Sequence, residues 1–173
     1  MKRLVSILLI CVALLCLVGC KDNDGAPNGM KLASNKDLVS YFLYVPESWV
    51  IDNSDTTTRA HVSSIDTSSV GVGEYGEHES IDAWWEAYKT ALSAVNGFEV
   101  IEEGVTGIVD KQPSKSYTYK TVQQEVAYKH YVTVTMKDKE VFAILFTSYE
   151  GPLFDNNLTV VKDQIIANFK FSK

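Results

Sequence analysis

The sequence predicts an α+β domain, drawn as an α/β/α sandwich in which a central antiparallel sheet is flanked by helices. Three observations carry that expectation. Two amphipathic stretches, "SIDAWWEAYKTALSAVNG" and "FDNNLTVVKDQIIANF", are separated by a run of strand-like segments and do not alternate with single strands. The link Lys137-Asp138-Lys139-Glu140 is too short for anything but an antiparallel hairpin. In the segment after it, Val141, Ala143 and Leu145 oppose Phe142, Ile144 and Phe146, so that strand is apolar on both sides and must be covered on both.

The elements follow in order. Asp37 to Ile51 is β-rich and breaks at Pro46-Glu47-Ser48, where proline suits position i+1 of a turn, and Trp49 is expected to return to the core. "RAHVSSID" and "SSVGVGEYG" read as short strands. The first helix has Ser80 as N-cap and Asp82 against the positive helix end. Its apolar face is Ile81, Trp84, Trp85, Tyr88, Leu92 and Val95, and Asn96-Gly97 is a left-handed stop. Then come "FEVIEEG", "VTGIVD", "SYTYKTVQQ" and "EVAYKHYVTVTMK", the last placing Val126, Tyr128, His130, Val132, Val134 and Met136 on one face. The second helix is expected to start near Asp155 or Asn156 and to bury Leu158, Val161, Ile165 and Phe169, before a closing "FKF" strand.

The amino-terminal end has a different character. Lys2 and Arg3 precede an apolar run from Leu4 to Val18 in which Ser6 is the one polar residue. That run has the length of a signal-peptide core and falls short of the ~20 apolar residues of a spanning helix. Leu17-Val18-Gly19-Cys20 resembles the lipobox of bacterial lipoproteins. The resemblance implies a signal peptide over 1–19, and Cys20 as the lipidated first residue of the mature chain, thioether-linked to diacylglycerol and further acylated, as with palmitate. A tether over 20–36 and a domain over 37–173 would follow. More than one acyl chain is needed for stable anchoring, and such a cysteine carries them. The competing reading is an ordinary signal peptide followed by a chance cysteine. All three cysteines, Cys11, Cys16 and Cys20, lie in this segment, which leaves the domain without a disulfide or a thiolate metal site.

The net charge is −6 at pH 7 and no basic run exceeds Lys2-Arg3. Nucleic acid is therefore not an expected partner. Repulsion from anionic headgroups would hold the domain off the membrane surface.

"FLYVPESW", "WWEAYKTAL", "YVTVTMKDKEVFAILFTSYEG" and "KDQIIANFKF" together resemble the PsbP-like domains, over roughly residues 37–173. The resemblance implies a central antiparallel sheet between helices, and a binding or assembly role without catalysis. It carries over no functional residue.

Several motifs invite chemistry. "GVGEYG", Gly71 to Gly76, fits G-x-G-x-x-G, but a polar "IDTSS" precedes it, and Glu74, Glu77 and Glu79 would repel a pyrophosphate. It is expected to be a glycine-rich strand end and loop. Glu74, Glu77, His78 and Glu79 bring carboxylates and an imidazole together, yet adjacent residues rarely face one ion, and a solvated acidic loop is expected. His61 and His130 fall within strands, His130 as a packed, hydrogen-bonded residue. Glu102-Glu103 are strand neighbours that face opposite ways, unsuited to paired acid–base work. Asn157-Leu158-Thr159 fits a glycosylation sequon without a use in a bacterial lipoprotein. No G-x-S-x-G elbow, Walker loop or H-E-x-x-H occurs. Trp49, Trp84, Trp85, Tyr117, Tyr119, Tyr128 and Tyr131 suit either sheet packing or a cleft.

The expectation is a lipoprotein held at the extracytoplasmic face of the cell membrane through Cys20. It is expected to be non-enzymatic, with no catalytic residue, metal or cofactor, and to bind or assist an envelope protein complex. Capture of a small ligand or metal is the alternative.

Overall fold

The computed structural model describes residues 25–52, 58–66, 68–151 and 159–172. In chain order the elements are β1 (Met30–Leu32), β2 (Tyr41–Phe42), β3 (Tyr44–Pro46), β4 (Val50–Asp52), β5 (Thr58–His61), β6 (Ser69–Glu77), α1 (Ile81–Leu92), β7 (Glu99–Val109), β8 (Gln112–Gln123), β9 (Val126–Lys137), β10 (Glu140–Tyr149), α2 (Thr159–Asn168) and β11 (Lys170–Phe171). Seven strands form one sheet in the order β4-β5-β6-β10-β9-β8-β7, antiparallel throughout. Two small sheets, β1-β3 and β2-β11, accompany it.

The meander β7 to β10 is built from three two-residue turns. Asp110-Lys111, Gln124-Glu125 and Asp138-Lys139 all have positive φ at both residues, the pattern of type I′ hairpins whose twist matches the strands they join. Two strands expected at "FEVIEEG" and "VTGIVD" are one, β7, whose register against β8 shifts near Glu102. Bulges of this kind bend an edge strand.

Alternation along β10 divides the interior. Phe142, Ile144 and Phe146 join a core with Tyr41, Leu43, Val45, Trp49, Val70, Val72, Ile165 and Phe169. Val141 and Ala143 join the opposite core, under Trp84 and Trp85 of α1, with Tyr117, Tyr119, Val132 and Val134. The twice-covered strand is as expected, and so is α+β. The α/β/α sandwich needs correction. One face carries α1, but the other is covered mainly by the short strands β1–β3 and β11, with α2 packed on β3. The reason lies in strands too short to join the main sheet, which stack on it as a second layer and leave α2 a minor share.

Three smaller expectations also change. Met30–Leu32 pairs with Tyr44–Pro46, Ala33 and Ser34 are buried, and Ser34 Oγ donates to Tyr41 O at 3.0 Å and accepts from Leu43 N at 3.1 Å. The tether expected to run to residue 36 is therefore folded structure from Met30 onward. Trp49 N donates to Pro46 O at 3.0 Å, so Pro46 stands at position i of its turn and not at i+1, while Trp49 is buried as expected. Helix α1 is capped by Ser80, whose Oγ accepts from Ala83 N at 3.1 Å, but it ends at Leu92, ahead of Gly97. Gly97 (φ +67°) sits in the following turn, where a Cβ would collide with Val122.

Helix α2 buries Ile165, with Val161 partly buried and Phe169 following it into the same core. Asp155, Asn156, Asn157 and Leu158 lie outside the described residues, as do Cys11, Cys16 and Cys20. Among the described residues no helix is long and apolar enough to cross a membrane.

Candidate functional site

Helix α1 does not cover the whole sheet face on which it lies. Trp85 stacks on Tyr117 of β8 with ring centroids 4.0 Å apart and lies 6.3 Å from Tyr119, so the helix sits toward β8 and β9. Lys89 and the indole Nε1 of Trp85 both bond to Glu103 on β7, which fixes the helix on that side. Those contacts, Lys89 first, hold the Glu103 carboxyl below its ordinary range. Glu103 is thereby a structural anchor, separate in role from Glu102, which pairs with Thr118 along the strand.

Toward β5 the same face is open and forms a cleft of about 480 Å³. The floor follows from register. Gly73 faces Ala143, Gly71 faces Leu145 and Ser69 faces Thr147 between β6 and β10. Arg59 of β5 stands opposite Gly71. His130 of β9 stands opposite Thr147, and Tyr75 and Gln123 complete the rim. Gly71 and Gly73 thus lie in the middle of a nine-residue strand, not in a loop. The missing side chain at Gly73 is required, because a Cβ there would stand 2.7 Å from the Tyr75 ring folded back over it. Tyr75 in turn packs edge-on against Trp84 at 5.1 Å. Burial pushes its hydroxyl up to about 12, so it stays a neutral donor.

His130 is the one imidazole of the cleft. It stacks on Tyr119 at 4.6 Å, and its Nε2 and Nδ1 pair with the hydroxyls of Thr121 at 2.9 Å and Thr147 at 3.0 Å. Burial lowers it to about 4, so the ring is neutral at pH 7. With both nitrogens engaged it has no lone pair aimed into the cleft to serve as a base. The lining supplies a guanidinium, hydroxyls and an amide, an arrangement suited to binding.

The other singled-out residues fall elsewhere. Glu74 lies on the opposite face of β6 from Gly73 and Tyr75; burial, with Glu140 nearby, raises its carboxyl. Glu77 ends β6, and His78 N donates to Lys139 O at 3.0 Å, so the expected acidic loop is largely strand. Among the described residues no three His, Cys, Asp or Glu side chains stand together in a way that could hold a metal. His61 lies on β5 beside Ser69, with its buried Nδ1 unpartnered among the described residues. Tyr117 and Tyr119 are core residues, and Tyr128 packs on Tyr149 at 5.1 Å. Arg59, Ser69, Gln123 and Thr147 were not indicated by any motif. The available signal was the period-two spacing of Ser69, Gly71, Gly73 and Tyr75, which a G-x-G-x-x-G reading obscures.

No family model and no curated protein matches the sequence. Solved structures do match. The chain is similar to cyanobacterial PsbP (CyanoP) from Synechocystis, with TM-score 0.60 and 12% identity over 90% of this chain and 98% of that one. It is similar to LpqN of Mycobacterium tuberculosis, described as involved in cell envelope biogenesis, with TM-score 0.57 and 11% identity over 83% and 91%. It is likewise similar to the Ran-binding protein Mog1p of Saccharomyces cerevisiae, with TM-score 0.60 and 11% identity over 82% and 95%. At such identities the likeness defines the fold, which is PsbP-like.

Proposed function

We propose that this protein is a lipoprotein anchored through Cys20 at the extracytoplasmic face of the cell membrane, where its PsbP-like domain is a non-enzymatic binding module for an envelope protein complex. The observation that carries the proposal is the sequence Leu17-Val18-Gly19-Cys20 after an apolar run headed by Lys2-Arg3. Acyl chains at Cys20 would supply about 0.8 kcal/mol per buried methylene, and residues 21–29 would be the leash. The fold supports the reading in that LpqN, a protein of envelope biogenesis, shares it. Capture of a small ligand by the cleft is the second reading, favoured by the open floor at Gly71.

Photo-crosslinking in intact cells tests the first reading. A crosslinker carried on the exposed face of the domain is expected to trap one defined envelope protein, and Cys20→Ser is expected to lower that yield at least tenfold by failing to place the domain. Diffuse capture of many proteins, or capture unaffected by Cys20→Ser, would count against it.

A further inference from the structure

The cleft beside α1 is lined by one cationic side chain and no carboxylate. The chain carries a net charge of −6, and Lys89, Lys115, Lys120, Lys162 and Lys170 all pair with carboxylates. Arg59 is exposed, lines the cleft and makes no ion pair among the described residues, although Asp52 of β4 stands opposite it in the strand register. No aspartate or glutamate lines the cleft. Its formal charge at pH 7 is that of one guanidinium, because His130 is buried and neutral.

The shape is as specific as the charge. Gly71 presents bare backbone and the Tyr75 ring lies over Gly73, which together give a flat surface beside which a ring can lie. Leu145 and the Tyr75 ring add apolar walls, while Ser69 and Gln123 add donors at the rim. A volume of about 480 Å³ falls in the range of small-molecule clefts and admits a single-ring molecule with room to spare. A planar guanidinium matches a carboxylate in bidentate fashion, whereas one cation neutralises a dianion only in part.

We propose that this cleft is a binding site for a small, flat organic monocarboxylate, its carboxylate on Arg59 and its body on the floor at Gly71 beside the Tyr75 ring. The proposal deepens the ligand-capture reading and is independent of the anchor, so the crosslinking outcome and this one can fail separately.

The test is a titration of benzoate into the ¹⁵N-labelled full-length chain in detergent micelles, read by amide chemical shifts. Benzamide and acetate serve as controls, and Arg59→Gln as the variant. Saturable shifts are expected at Gly71, Gly73 and Leu145. Benzamide and acetate should bind at least tenfold more weakly. Arg59→Gln should lower benzoate affinity at least tenfold while its unliganded spectrum stays that of the parent away from β5. Absence of saturable shifts at these amides overturns the site. Equal binding of benzamide, or undiminished affinity in Arg59→Gln, overturns the carboxylate assignment, and equal binding of acetate overturns the flat body. Inorganic phosphate occupying the same amides more tightly than benzoate overturns the monoanion class.

Discussion

His130 shows how one residue can be read correctly in kind and incompletely in consequence. Its place on β9, among Tyr128 and Val132, marks it as packed and hydrogen-bonded, and it is held by Thr121, Thr147 and Tyr119. Burial lowers it from 6.5 to about 4. Between those values the unfolded chain binds a proton that the folded chain refuses, so stability is fully present above pH 6.5 and falls as the pH drops toward 4. At about 1.4 kcal/mol per pH unit, the loss attributable to this group is on the order of 2–3 kcal/mol. Urea midpoints at pH 7 and pH 4.5 check this: the parent should lose more than His130→Gln by roughly that amount, and equal losses would refute it. Arg59, by contrast, was not legible. An arginine in a strand is ordinary, and its place at the cleft depends on what β6, β10 and β9 bring beside it, while Asp52 of β4 stands opposite it.

At the scale of elements, legibility followed regular pattern. Alternation in β10 and the spacing of Trp84, Trp85 and Tyr88 are strong periodic signals, and both elements form where the pattern places them. Short strands have no period to read. Met30–Leu32 is held by pairing with Tyr44–Pro46, a non-local contact, so it passed for tether. The bulged β7 leaves Ile101, Val105 and Ile108 exposed at a sheet edge, where the bulges and Glu99, Glu102 and Glu103 discourage pairing with another chain. The Asp138-Lys139 turn was legible from its short link, whereas Gln124 and Glu125 were read as strand ends. Gln124 and Glu125 both adopt positive φ, which costs L-residues about 1–2 kcal/mol each in the left-handed region. Replacing the pair with Asn-Gly should stabilise the protein by about 1–2 kcal/mol without altering the strands. Thermal unfolding followed by circular dichroism would measure it, and an unchanged or lower midpoint would contradict the turn assignment.

For the whole molecule, the layered arrangement explains why a domain can offer an open cleft and still be well packed. Two cores back the sheet, one on each face, and α1 is drawn toward β8 and β9 by Trp85, Lys89 and Glu103. The face toward β5 is left uncovered, and Gly71 of β6 becomes its floor. In the function proposed above, the other end of the chain sets where such a domain works. Mass spectrometry of the protein extracted from membranes tests that anchor most directly. The account predicts a chain beginning at Cys20, heavier by a diacylglyceryl group and further acylation, and absent in Cys20→Ser, which should accumulate unprocessed. A chain that retains residues 1–19, or one cleaved normally with a free thiol at Cys20, would contradict it.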